Sequence, residues 1–97
     1  MTRTDAIVKL NSHAQAIRAM GATALYLFGS TARDEPGARD LDLFIDYDRA
    51  KPFSLLDLVG IKQLLEENLN AEIDVTTRDS LHPLLRTEIE QAAIRVI

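Results

Sequence analysis

With 97 residues, 46% hydrophobic and 27% charged, the chain has the make-up of one globular domain, residues 1–97, without room for a separate substrate domain. A net charge of −4, with no basic run and no aromatic-and-basic ladder, argues against nucleic acid as a direct partner. Cysteine is absent, which excludes disulfides, thiol chemistry and cysteine-ligated zinc, and no apolar stretch approaches the ~20 residues of a membrane span.

Thr4 is placed to cap a first helix in which Ile7, Leu10, Ala14, Ile17 and Met20 form one apolar stripe, with Gly21 ending it as the C′ residue. His13 lies off that stripe and reads as a solvated helix residue. Ala24 to Phe28 is a continuous apolar run, the pattern of a strand covered on both faces, with Tyr26 and Phe28 expected in the core. Gly29-Ser30 turns the chain out of the strand. Thr31 to Asp34 suit one or two helical turns before Pro36-Gly37 breaks the chain.

Residues 39–48 then read as a second strand. Even positions carry Asp40, Asp42, Phe44, Asp46 and Asp48, and odd positions carry Leu41, Leu43, Ile45 and Tyr47, so the odd face is expected to pack on helices. Ser54 is placed to cap a helix with Leu55, Leu58, Ile61, Leu65 and Leu69 on its buried side and Asn70 at its end. Gly60 within it costs up to ~1 kcal/mol relative to Ala, which suggests close packing against a neighbour. Glu72 to Thr76 alternates as a third strand. After a turn at Asp79-Ser80, Pro83 fits the first position of a last helix that buries Leu84, Leu85, Ile89 and Ala92 or Ala93. Residues 94–97 read as an edge strand or a frayed end. The order α-β-(α)-β-α-β-α is that of an α/β (α+β) domain, a small mixed sheet with helices packed on it.

Residues i and i+2 of a strand share a face, about 6.6 Å apart. Asp40 and Asp42 therefore offer two carboxylates side by side, next to the Gly29-Ser30 turn. Two metal ions about 3.5–4 Å apart serve phosphoryl and nucleotidyl transfer, and holding them takes several carboxylates on one rigid surface. Asp74 is the natural third, because Ile73 and Val75 turn inward. Asp46, about 13 Å beyond Asp42, and Asp48, about 20 Å beyond it, are too distant and read as solvated surface charges. Gly29 permits close backbone approach, the N–H groups of the following helical turn and the Ser30 hydroxyl face an anion, and Arg33 and Arg39 are within reach of the same phosphates. Each signal also has a plainer reading: a common turn, an N-cap, surface salt-bridge partners, a chance Asp-x-Asp. The conjunction singles this stretch out.

Gly29-Ser30-Thr31-Ala32-Arg33, nine residues (31–39), Asp40-Leu41-Asp42-Leu43 and then Ile73-Asp74-Val75 resemble the minimal nucleotidyltransferases of the polymerase β superfamily, the antitoxins found beside HEPN-domain toxins. The similarity extends over nearly the whole chain, through Phe53 to Leu58 and Leu81 to Arg86. It implies the polymerase β-like nucleotidyltransferase fold. By the same resemblance Gly29 and Ser30 hold the nucleotide phosphates, Asp40 and Asp42 bind Mg2+, and Asp74 is the third ligand and helps to deprotonate the acceptor. The implied reaction moves AMP from ATP to a tyrosine of a HEPN ribonuclease toxin, in a hetero-oligomer with that toxin in the cytoplasm. The chain departs from the pattern at Asp34, where relatives often have Gly, and at Arg39, where they often have Ser. Two alternatives stay open: an antitoxin that neutralises its partner by binding alone, and a nucleotidyltransferase acting on a small molecule, which the chain's length disfavours.

Overall fold

In the computed structural model, which describes residues 1–97, the chain runs α1 (Arg3–Asn11), α2 (Ala14–Ala19), β1 (Ala22–Phe28), α3 (Gly29–Ala32), β2 (Leu41–Tyr47), α4 (Leu55–Leu69), β3 (Ile73–Thr77), a 3-10 turn (Arg78–Ser80), α5 (Arg86–Ala92) and β4 (Ile94–Arg95). The four strands form one sheet in the order β3-β2-β1-β4. β1 pairs antiparallel with β2 and with β4, whereas β2 and β3 run parallel, joined by the crossover through α4.

The expected first helix is divided. Thr2, not Thr4, caps α1, its hydroxyl accepting the Asp5 N–H at 3.1 Å. The ladder stops where the Ser12 hydroxyl donates back to the Lys9 carbonyl at 2.6 Å and the His13 N–H bonds three residues back, to Leu10. A side-chain bond that competes with the backbone ladder is a common cause of such a break. His13, half-buried, opens α2 from the break. Gly21 closes α2 with a φ of +110°, and a Cβ there would meet the Phe53 ring at 2.9 Å. Ser54 and Asp57 form a reciprocal capping box at the start of α4, worth about 1 kcal/mol. Asn70 ends that helix in the left-handed conformation, φ 50° and ψ 45°.

α1, α2 and α4 all cover one face of the sheet. Leu25, Leu27, Leu41, Leu43, Ile45, Ile73 and Val75 meet Ala6, Leu10, Ile17, Ile61, Leu65 and Leu69 there in one core cluster. Fully burying each of the large aliphatic side chains contributes about 1.5–3 kcal/mol. Leu55, expected in that core, is 74% exposed. Gly60 does not pack closely: nothing lies within 4 Å of where its Cβ would be.

The second face is less solvated than the alternation implied. Phe44, an even-position residue, is fully buried, stacked on Tyr26 with centroids 4.7 Å apart and tilted against Phe28 at 5.8 Å. Arg78 lies over Tyr26 and Phe44, 4.8 and 4.9 Å from their centroids. It donates to both Asp46 oxygens at 2.8 and 2.9 Å and to Glu90 at 2.6 Å. Asp46 is therefore an ion-pair partner rather than a solvated charge. These bonds raise the Arg78 pKa further above its ordinary value, the hydrogen bond to Asp46 being the leading cause.

The last helix starts later than expected. Residues 82–85 form a turn in which the Leu85 N–H bonds the His82 carbonyl, so α5 begins at Arg86 and Pro83 stays outside. Nothing on α5 is buried: Leu84 is 88% exposed and Leu85 exposed, Ile89 is half-buried, and Ala92 faces solvent. The Arg78–Glu90 ion pair ties α5 to the sheet side, and Arg86–Glu90 is an i,i+4 pair within the helix. Residues 94–95 form the edge strand on β1, with Val96 and Ile97 buried behind it. No helix is long and apolar enough to cross a membrane.

Arg78 thus fastens the aromatic side of the sheet. Arg78→Ala is expected to cost about 2 kcal/mol in denaturant unfolding, because it removes two cation–π contacts and strands the Asp46 carboxylate. Arg86→Ala is expected to leave stability nearly unchanged, and equal effects of the two substitutions would refute the assignment.

Candidate functional site

β2 lies between β1 and β3, so the side chains at its start have neighbours on both sides. Phe28 is the antiparallel partner of Asp42, and Asp74 is its parallel partner. Paired residues on adjacent strands share a face about 4.8 Å apart. The carboxylates of Asp42 and Asp74 therefore emerge side by side, and both, with Asp40, line one depression of about 280 Å3.

Asp40 sits one residue before β2 and is exposed. Its backbone is pinned from the opposite side: buried Thr31, on α3, donates its hydroxyl to the Asp40 carbonyl at 2.7 Å. The next N–H, of Leu41, bonds the Glu72 carbonyl at 2.9 Å and ties the start of β2 to the residue before β3.

Gly29 follows β1 directly and has a φ of +75°. A Cβ there would collide with Oδ2 of Asp42 and come within 3.1 Å of its Cγ. The glycine is thus needed twice, for a left-handed turn and for space beside the carboxylate. Ser30 is half-buried in the first turn of α3. Arg33 is exposed and donates to Glu35 at 2.8 Å. Arg39 lines a separate groove of about 570 Å3 beside α1, which shares Asp40 and Glu72 with the depression that holds Asp42 and Asp74.

Asp34 has a φ of 56°, the conformation a glycine adopts without strain. Its carboxylate accepts the Arg3 N–H at 3.0 Å, while the Arg3 guanidinium donates to the Ala32 carbonyl at 3.4 Å. The extra negative charge in the loop is engaged at the N-terminus of α1, where the helix dipole favours it.

Burial pushes the Asp42 carboxyl above its ordinary pKa of 3.8, and the charges of Asp74 and then Asp40 push it the same way, with Arg33 opposing them. No three Asp, Glu or His side chains stand close enough together here to hold a metal ion among themselves. Mg2+ does not need three, since it takes one or two carboxylates and completes its shell with water and substrate phosphates. An all-oxygen donor set of this kind suits that ion. Asp46 and Asp48 stand apart: Asp46 is held by Arg78, and Asp48 accepts the Ala50 N–H at 2.9 Å.

Sequence reasoning missed three residues here. Thr31 has no local signal, because its bond to Asp40 spans nine residues. Glu72 and Lys62 both line the Asp42–Asp74 depression. Lys62 follows the buried Ile61 on α4, which placed it near the sheet without showing which side it would face.

Two outcomes follow from this geometry. Gly29→Ala is expected to cost roughly 1–2 kcal/mol, and the cost should shrink when Asp42→Ala is present, a coupling read by a double-mutant cycle in urea. An unchanged cost would show that the contact with Asp42 is not what requires glycine. Because the raised pKa of Asp42 makes the folded state bind its proton more tightly than the unfolded chain, this group's contribution to stability falls as pH rises through that value. Asp42→Asn is therefore expected to raise Tm by a few degrees at pH 7, and to lose the advantage below pH 3.8, where the native carboxyl is protonated. A lower Tm than the unaltered protein at pH 7 would contradict this.

Residues 10–96 match the model of the nucleotidyltransferase domain family. A Methanocaldococcus jannaschii protein named as a protein adenylyltransferase is 42% identical over 78 residues, 79% of this chain and 82% of that protein. A solved minimal nucleotidyltransferase has a TM-score of 0.81 at 28% identity, covering 97% of this chain and 95% of that one. Likeness of fold alone extends to a toxin–antitoxin structure with AMP-PNP, with a TM-score of 0.70 at 16% identity over 90% of this chain and 72% of that one. It extends also to a tri-AMPylated Shewanella oneidensis HEPN toxin in complex with its MNT antitoxin, at 0.64 and 17% over 90% and 68%. The family match spans residues 10–96 and the solved minimal nucleotidyltransferase is similar along almost the full length, so this chain belongs to the nucleotidyltransferase domain family, among its minimal members.

Proposed function

We propose that the chain is a Mg2+-dependent protein adenylyltransferase and an antitoxin, which transfers AMP from ATP to a tyrosine hydroxyl of a cognate HEPN ribonuclease toxin and so silences it. The observation that carries this reading is the pairing of Asp42 with Asp74 in one register, beside a Gly29 that cannot bear a side chain. The relative's name supports protein as the acceptor, and the AMP-PNP and AMPylated-toxin structures support ATP as donor and a HEPN partner.

In this reading Gly29 and Ser30 receive the β- and γ-phosphates through the N–H groups at the start of α3 and the Ser30 hydroxyl. Arg33, which exchanges Glu35 for an anion, and Arg39, from the adjoining groove, add positive charge. Asp40, Asp42 and Asp74 would hold two Mg2+ ions. Bound there, the ions would supply charge neutralisation at the phosphates and lower the pKa of the acceptor hydroxyl. The acceptor oxygen bonds to the α-phosphorus as the bond to the pyrophosphate oxygen breaks. Asp74 takes the acceptor proton, and pyrophosphate leaves. Burial leads the elevation of the Asp42 pKa, and the charges of Asp74 and Asp40 add to it, a repulsion that a bound cation would relieve.

The test is incubation with α-labelled ATP, Mg2+ and a cognate HEPN protein, sought in the gene next to this one. Label is expected on a toxin tyrosine, with Asp40→Ala and Asp42→Ala each reducing transfer by roughly 100-fold or more. Toxin suppression that survives both substitutions but fails when the exposed Leu55 and Leu56 are made polar would overturn the catalytic reading in favour of binding alone.

A further inference from the structure

Lys62 is the only cation lining the depression of Asp40, Asp42, Glu72 and Asp74. It is exposed, and none of the chain's salt bridges engages it. Four carboxylates line the same depression, on a protein of net charge −4. Within this depression an approaching acidic group meets attraction only at Lys62, since Arg39 lies in the adjoining groove and Arg33 is paired with Glu35.

Its side of the sheet decides what it can touch. β2 separates β1, which leads into Gly29-Ser30, from β3, which carries Asp74. Lys62 comes from α4, the helix immediately before β3 that packs beside it, and shares a wall with Ile73 and Asp74. It stands on Asp74's side of Asp42, away from the Gly29-Ser30 turn. A phosphate tail seated at that turn extends away from Lys62, whereas a hydroxyl arriving at Asp74 passes next to it.

The geometry points to Lys62 as a specificity-determining residue for the acceptor: its ammonium pairs with a carboxylate that flanks the hydroxyl to be modified, selecting a protein acceptor with an acidic residue beside that hydroxyl. A lysine suits this role as a mobile point charge with three donors on a flexible stem, able to follow a surface that docks without fixed geometry. The inference rests on the adenylyl-transfer reading, because it presupposes which side the acceptor enters.

The experiment measures KM for the HEPN protein and for ATP separately, with Mg2+, in the unaltered chain and in Lys62→Ala, Lys62→Arg and Lys62→Glu. Lys62→Ala is expected to raise the acceptor KM roughly tenfold while ATP KM and ATP binding by calorimetry stay within about twofold. Lys62→Arg should restore most of the loss and Lys62→Glu deepen it, and the defect should shrink as salt is raised. An unchanged acceptor KM, or an ATP KM that rises in step with it, overturns the assignment, the second outcome placing Lys62 on the triphosphate. Absence of transfer by the unaltered chain overturns the adenylyl-transfer reading itself, and the two failures are thereby distinct.

Discussion

A carboxylate and a glycine compete for one small volume at the end of β1, and the rest of the candidate site follows from how that competition is settled. Asp42 projects from the central part of the sheet toward the place where residue 29 would carry its Cβ. Only glycine leaves that volume free, and only a left-handed turn directs the chain onward into α3. α3 in turn brings Thr31 to the Asp40 carbonyl, so the turn beside one carboxylate fixes the backbone of another. The parallel register with β3 supplies the third.

The two faces of the sheet divide the work. One is wholly apolar and takes all three longer-range packing helices, which gives the strands a rigid floor. The other is graded along its length: carboxylates at the start of β2, stacked aromatics in the middle, and the Arg78 ion-pair hub at the far end. The aromatic layer, its arginine and Glu90 of α5 cover that end of the face, and the acidic end stays open. The open end keeps the Asp42 carboxylate partly buried and beside the charges of Asp74 and Asp40 at some expense of stability, which its elevated pKa reflects, burial being the leading cause.

What was legible in the sequence was whatever repeats with a short period or interrupts one. The odd–even alternation of β2 and β3 placed Asp42 and Asp74 on one face correctly, and Gly29-Ser30 marked the end of β1. Side-chain bonds were not legible, because they leave no periodic trace. Ser12 turning back on Lys9 divides the first helix, and Arg78 reaching Asp46, 32 positions away in sequence, converts a supposed surface charge into part of the fold. Phe44 was read as one more even-position residue, though an aromatic on a polar face was the signal that the face is partly covered. Gly60 misled in the opposite direction, since its helix tolerates it with open space around it. The C-terminal leucines misled through composition: apolar residues were assumed to be buried, and Leu84 is not.

The central claim is that Asp40, Asp42 and Asp74 act together on a pair of Mg2+ ions beside the Gly29-Ser30 turn. A crystal structure with Mn2+ and a non-hydrolysable ATP analogue tests it most directly, with the metal located by its anomalous signal. The account predicts Mn2+ ligated by oxygens of Asp40 and Asp42, with Asp74 contacting the same cluster and the triphosphate on the N–H groups that open α3. Mn2+ held by other residues, or a triphosphate lying on the Lys62 side of Asp42, would contradict it.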